Sequence, residues 1–254
     1  MKKRFIIALA SSLVCSCENL NDPGLLNQSS VVCLLVANES PQRFYVYRTA
    51  SLNENAVGDS KSKFQAFFID NASIKVNDVV KTYNFKIQLD TVNSAMVRSY
   101  TPESLLVVQP SAAYSLLVNS GLGSIQGQTL VPGDFSIVKP INGELLSRIK
   151  GKLRPEFSWT RCKYAELYTV KLTQFYSTGA FKYPMTHSFD VLDTTLVLPY
   201  ELDVYSPDTL YAEIYAFEKN YYRHRFKSVA SSGITGGYGY FGSAVLKKVT
   251  VFVY

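Results

Sequence analysis

The sequence predicts an all-β protein of two β-sandwich domains, and three observations carry that reading. Hydrophobic residues make up 47% of the 254 residues and charged ones only 18%, with the β-formers Val, Ile, Tyr, Phe and Thr spread along the whole chain. Short apolar runs recur, several with a period of two, and clusters of Asn, Asp, Ser, Gly and Pro separate them. The length supplies material for two small domains or one large one, enough to bury a core, which argues against disorder.

Residues 1–16 read as a signal peptide: Met1-Lys2-Lys3-Arg4 is basic, and the apolar stretch Phe5–Val14 is too short for the ~20 residues of a membrane-spanning helix. Val14-Cys15-Ser16-Cys17 follows, with a small residue before Cys17 and an aliphatic one three before it, and it resembles the lipobox of bacterial lipoproteins. The resemblance implies that Cys17 is lipidated and becomes the new N-terminus; Cys15 fits less well because Val14 precedes it. The expected partner is therefore a membrane, reached through a lipid anchor on Cys17. Cleavage removes Lys2, Lys3 and Arg4, so the 26 basic residues fall to 23 against 20 acidic ones, a net charge of +3. That excess is too slight for an electrostatic nucleic-acid surface. Residues 17–28 are polar, carry Pro23-Gly24, and read as a flexible tether.

Residues 29–134 are expected to form the first sandwich. Val31–Ala37 is a continuous apolar run, Phe44–Tyr47 is a short strand, and Ser73–Asn77 and Asn84–Asp90 alternate as half-buried strands do. Phe64–Ile69, Leu105–Val108 and Tyr114–Val118 complete the expected set, and Val131-Pro132-Gly133 closes the unit.

Residues 135–254 are expected to form the second. Phe135–Arg154 reads as a connector plus a first strand, with a helical turn at Glu144–Ile149. Then come Pro155-Glu156-Phe157-Ser158-Trp159, the strand Tyr164–Leu172, and Ser206-Pro207-Asp208-Thr209-Leu210-Tyr211. This order resembles a fibronectin type III module, itself an immunoglobulin-like sandwich. The resemblance implies that Trp159 is the core tryptophan, Tyr168 its third-strand partner and Tyr211 the tyrosine of the corner. Glu213 stands where that module carries an apolar core residue; alternatively the strand phase slips, so that Leu210, Ala212, Ile214 and Ala216 face inward.

The chain ends in Gly236-Gly237-Tyr238-Gly239-Tyr240-Phe241 and an alternating strand through Val249, Val251 and Val253. With the lipobox, the strand Asn71–Val76, the Tyr114 strand and Thr129-Leu130-Val131-Pro132, this ending resembles Bacteroidota envelope lipoproteins catalogued as domain of unknown function 4249. The resemblance implies an outer-membrane context near TonB-dependent transporters, and it implies no reaction.

Chemical motifs are sparse. The glycine-rich segment lacks the Gly-Lys-Ser/Thr ending of a phosphate loop and precedes a strand, so it reads as a tight turn with close backbone approach. Neither a His-Glu-x-x-His nor a Cys-x-x-Cys occurs after the signal peptide, so no metal or other cofactor is expected. Cys33 and Cys162 are expected as buried free thiols. The acids Asp190, Asp193, Glu201 and Asp203 read as ordinary sandwich-surface residues rather than a catalytic pair. Tyr45, Tyr47, Tyr176, Phe181, Tyr183, Tyr238 and Tyr240 could line a glycan, but read first as core or cross-strand residues. Tyr221-Tyr222-Arg223-His224-Arg225, inside the run Lys219–Lys227, mixes cations with aromatics and is the candidate contact for a partner or ligand, on a loop or strand edge. The expected function is that of a non-catalytic outer-membrane lipoprotein serving a transporter or envelope assembly as an accessory or binding subunit. The alternative is a structural or adhesive surface subunit whose C-terminal strand is donated between protomers.

Overall fold

The computed structural model describes residues 28–49, 67–92, 95–147, 152–178, 181–198, 202–203 and 208–254. Residues 1–27, on which the expected signal peptide, the expected lipidation at Cys17 and nearly all of the expected tether fall, lie outside the described residues. The chain is an all-β sandwich protein, and its first group of strands is β1 (Ser29–Ala37), β2 (Phe44–Arg48), β3 (Ser73–Asn77), β4 (Thr82–Val92), β5 (Ala95–Pro102), β6 (Ala113–Ser120) and β7 (Gly123–Leu130). The second contains β8 (Ile137–Lys139), β9 (Leu145–Leu146), β10 (Lys152–Leu153), β11 (Glu156–Trp159), β12 (Leu167–Thr178), β13 (Phe181–Val191), β14 (Thr195–Val197), β15 (Leu202–Asp203) and β16 (Asp208–Phe217). A helix, α1 (Lys219–Lys227), two short strands, β17 (Ser231–Ser232) and β18 (Ile234–Thr235), and the long β19 (Tyr238–Val253) end the chain.

Strand β19 organises the molecule. Its first half pairs in parallel with β1, from Ser30 opposite Tyr238 to Ala37 opposite Val245. Its second half pairs antiparallel with β16, from Phe217 opposite Ala244 to Asp208 opposite Val253. The hydrogen-bonded order β13-β12-β16-β19-β1-β2-β5-β4 therefore runs through both groups, and β3-β6-β7-β18 continues it past β4. The residues Phe44, Phe85 and Phe241 meet in the first core, with centroids 4.7 Å apart for Phe44–Phe85 and 6.2 Å for Phe44–Phe241. Burying each ring is worth about 1.5–3 kcal/mol. One continuous apolar cluster extends from Val31 through Phe241 and Val245 to Val253. The expected unit 29–134 thus has its first strand flanked on one side by the last strand of the chain.

The glycine-rich segment makes this pairing close. Gly239 lies directly opposite Val31, has φ +97°, and a Cβ there would collide with the Val31 carbonyl oxygen.

Three expected elements differ. Leu105–Val108 keeps its alternation, with Leu106 and Val108 buried and Leu105 and Val107 exposed, but it joins no ladder among the described residues. Of Phe64–Ile69, residues 64–66 lie outside the described residues, and Phe68 makes only an isolated bridge to Tyr47. The helical turn expected at Glu144–Ile149 is replaced in its described part by β9. The free edge of β19 recruits that segment, Gly143 N–H donating to Thr250 O at 2.7 Å and Phe252 N–H to Glu144 O at 2.9 Å.

Candidate functional site

Lys219–Lys227, expected as a loop or strand edge, is the helix α1, and its caps explain the difference. Glu218 adopts extended backbone at the N-cap, and its carboxylate accepts from Asn220 N–H at 2.5 Å and Tyr221 N–H at 2.9 Å. A third N–H, from Ser243 of β19, reaches it at 3.3 Å. At the other end Ser228 turns left-handed with φ 50°, its N–H donating to Arg223 O. His224, Arg225 and Lys227 occupy the last turn, where the helix dipole favours positive charge. Burial drives the Glu218 carboxyl above its ordinary range, against the pull of the three N–H groups.

The helix lies over β19 on the sheet face opposite the main core. Tyr221 stacks on Phe217 at 4.0 Å and meets Tyr240 edge-on at 5.6 Å. His224 packs on Tyr240 at 4.7 Å, with Nδ1 at 3.1 Å from Val229 O. Val36, Leu167, Phe217, Ala244 and Leu246 complete this small second cluster. Of the candidate contact residues, Tyr221 and His224 thus fasten the helix, and half-buried Tyr222 stacks on Phe226 at 5.6 Å. Arg223 and Arg225 face solvent beside Phe226 and Lys227, and Arg225 pairs with Asp190 of β13 at 3.3 Å.

Asn220 ties the first turn of α1 to both layers beneath it. Its Nδ2 donates to Gln128 O of β7 at 2.9 Å and to Phe241 O of β19 at 3.0 Å. A side chain at Gly233, φ +70°, would occupy the space of the Asn220 amide. Two clefts open beside this tie on the outer face of β3, β6 and β7. One of about 710 Å³ is bounded by the β3–β4 turn, Tyr164 and the start of α1. The other, of about 640 Å³, is bounded by Arg223 and β18. Asn77, Ser115 and Gln128 line both. Sequence reasoning assigned no role to Glu218, Asn220 or Tyr164: Glu is not a favoured N-cap residue, and the carbonyls that Asn220 reaches, on β7 and β19, come together only through the fold.

The remaining sequence-derived candidates fall elsewhere. Trp159 and Tyr168 are both 3% exposed with centroids 5.2 Å apart, and the Tyr168 hydroxyl accepts from Cys162 N–H at 2.8 Å. Tyr211 is not a core residue: it is 43% exposed and meets Phe175 edge-on at 5.8 Å. The cause is the strand phase of β16, which turns Leu210, Ala212, Ile214 and Ala216 inward. Glu213 consequently faces out, 3.4 Å from Lys171 Nζ and 2.9 Å from Lys248 Nζ. Partial burial opposes its charge, but the two ammonium groups outweigh that and hold its pKa below the ordinary value.

Cys33 and Cys162 are free and buried. Burial raises both thiols, Cys162 to about 12, and Cys162 Sγ donates to Gly133 O at 2.7 Å. Asp190 accepts from Thr169 Oγ1 at 2.6 Å and Asp193 from Thr194 N–H at 2.7 Å; Glu201 and the side chain of Asp203 lie outside the described residues. Tyr45 and Tyr47 stack at 6.2 Å on one strand, whereas Tyr183 is exposed on β13 and Tyr240 lies under α1. Those aromatics form no single platform among the described residues, and the side chains of Tyr176 and Phe181 lie outside them. Among the described residues, no group of three or more His, Cys, Asp or Glu side chains is placed to hold a metal ion, and no helix is long and apolar enough to cross a membrane.

No family model and no curated protein matches the chain. Among solved structures, Titin-A168169 aligns over 90% of this chain and 97% of its own, at 14% identity and TM-score 0.21. The FN1–FN3 domains of chicken CNTN1 align over 90% and 68%, at 12% identity and TM-score 0.24. CBD12 from CALX1.2 aligns over 89% and 99%, at 8% identity and TM-score 0.23.

Proposed function

We propose that this chain is a non-catalytic outer-membrane lipoprotein, anchored through Cys17, that serves a TonB-dependent transporter or a related envelope assembly as a binding subunit. The observation that carries the reading is the N-terminal sequence: a basic start, a short apolar stretch and Ser16-Cys17. The resemblance to the Bacteroidota envelope lipoproteins supports the transporter context. A rigid contact surface is available in α1, which is capped at both ends, fastened by Tyr221 and His224, and presents Arg223, Arg225, Phe226 and Lys227 outward. The alternative, a polymerising subunit that donates its last strand, would have to withdraw β19 from between β1 and β16 and so break both ladders.

A mild-detergent pull-down of the tagged protein from its native envelope, beside a Cys17→Ala control, tests the proposal. Stoichiometric recovery of an outer-membrane transporter, lost in Cys17→Ala and reduced by joint replacement of Arg223 and Phe226 with alanine, is the expected outcome. Recovery of the protein alone, or as a self-polymer, would overturn it.

A further inference from the structure

We infer that the paired clefts beside α1 form a binding site for a neutral oligosaccharide. The inference deepens the binding-subunit reading and rests on it, though not on the lipid anchor. It starts from strand register: Asn77 is opposite Ser115, and Ser115 opposite Gln128, so three neutral polar side chains stand in one row across β3, β6 and β7. Gln126, two residues from Gln128, lies on the same face. The side-chain amides of Gln126 and Gln128 hold no hydrogen bond among the described residues, and Asn77 Nδ2 makes a long one to Ser115 Oγ at 3.3 Å. Each carboxamide can donate and accept at once, which matches the dual character of a sugar hydroxyl. An ionic ligand would demand an excess of accessible charge of one sign, whereas Glu166, Lys219 and Arg223 carry both signs and Glu218, which also lines the first cleft, is buried with its carboxylate spent on the cap of α1. The Asp78 carboxylate is moreover engaged in its own turn, accepting from Val80 and Lys81 N–H at 2.7 and 2.6 Å.

Tyr164 supplies the second, independent observation. It stands at the third position of the β-turn Cys162–Ala165, closed by Ala165 N–H donating to Cys162 O at 3.3 Å, and the positive φ of +66° that this turn gives it swings the side chain out, 44% exposed. Lys163 Nζ lies 4.6 Å from the ring centroid on one face. The exposed ring lines the first cleft together with Asn77, Ser115 and Gln128, and there it would stack on the apolar C–H face of a pyranose. Each cleft, at about 710 and 640 Å³, falls within the ~300–1,000 Å³ typical of small-ligand sites. An extended peptide fits less well. Strand addition needs an unpaired sheet edge, whereas the floor here is a sheet face whose central strand, β6, is paired with β3 on one side and β7 on the other.

The test is titration calorimetry on the protein purified from its envelope in a non-glycosidic detergent. The probes are maltohexaose, cellohexaose and laminarihexaose as neutral chains, polygalacturonate as a polyanion and a hexameric Ser/Thr peptide. Saturable binding of a neutral hexasaccharide is expected, weakened at least about tenfold by Tyr164→Ala and by Gln128→Ala and within about threefold of wild type in Tyr164→Phe. Unchanged urea midpoints would show that the variants fold. Binding of the polyanion or the peptide instead, binding of no neutral chain, or binding indifferent to Tyr164→Ala would overturn the inference. If transporter recovery holds while sugar binding fails, the error lies in the cleft; the reverse result leaves the cleft and removes the transporter.

Discussion

At the residue scale, Glu213 shows how a position that breaks a sequence pattern finds another use. Held below its ordinary pKa by Lys248 and Lys171 against partial burial, its carboxylate stabilises the fold above the unfolded pKa, and that contribution is lost as pH falls through the folded value. The difference in unfolding free energy between wild type and Glu213→Gln, read from urea denaturation, should therefore shrink as pH drops from about 6 to about 3, by less than about 1 kcal/mol because the site is partly solvated. The cysteines give a second test. With the Cys162 thiol pushed to about 12 and both sulfurs buried, peptide-mapped iodoacetamide labelling at about pH 8 should leave Cys33 and Cys162 unmodified in the native protein and modify both in urea. The pairing of Trp159 with Tyr168 was legible only through the likeness of the Pro155–Leu172 stretch to a fibronectin type III module, which implies a core tryptophan and its third-strand partner. For Tyr211 the same likeness misled, and the outward phase of β16 was signalled instead by Glu213, whose charge turns Leu210, Ala212, Ile214 and Ala216 inward and Tyr211 out.

At the element scale, the strands were more legible than the helix. Period-two alternation marks a strand wherever one face is buried, as in β3 with Ile74 and Val76 inward. Leu105–Val108 shows the limit: alternation reports burial on one side, and a ladder needs a neighbour as well. Helix α1 buries no residue completely, so it had no apolar stripe to betray it, and it depends on caps instead. Glu218→Ala should cost about 1–2 kcal/mol in chemical denaturation, as loss of a buried N-cap does, whereas Glu218→Gln should be milder because an acceptor oxygen remains. Gly239→Ala should cost more than about 2 kcal/mol, since the left-handed backbone and the Val31 carbonyl leave no place for a methyl group.

At the scale of the whole molecule, the two groups of strands share β19 and one apolar cluster, so they should unfold together. Fluorescence of Trp159, which reports the second group, should give the same urea transition as far-UV circular dichroism, which reports both. Residues 29–134 expressed alone should show no cooperative transition, because β1 would lose its parallel partner and present Val31, Cys33 and Leu35 along an open edge. That dependence was not visible in the sequence: Val31–Ala37 and the alternation through Val249, Val251 and Val253 each read as a strand, but the glycine-rich segment read as a tight turn, whereas from Tyr238 it is the half of β19 that pairs with β1.

The pairing of Ser30 with Tyr238 also sets an order in time. A ribosome or secretion channel delivers the chain from its N-terminus, so β1 can pair early with β2, but nearly all of the residues up to Val245 must emerge before it can acquire its parallel neighbour β19. Contacts this distant in sequence close slowly. During that interval the apolar β1 is the segment most in need of shelter, and a chaperone that receives the nascent chain should be found holding it.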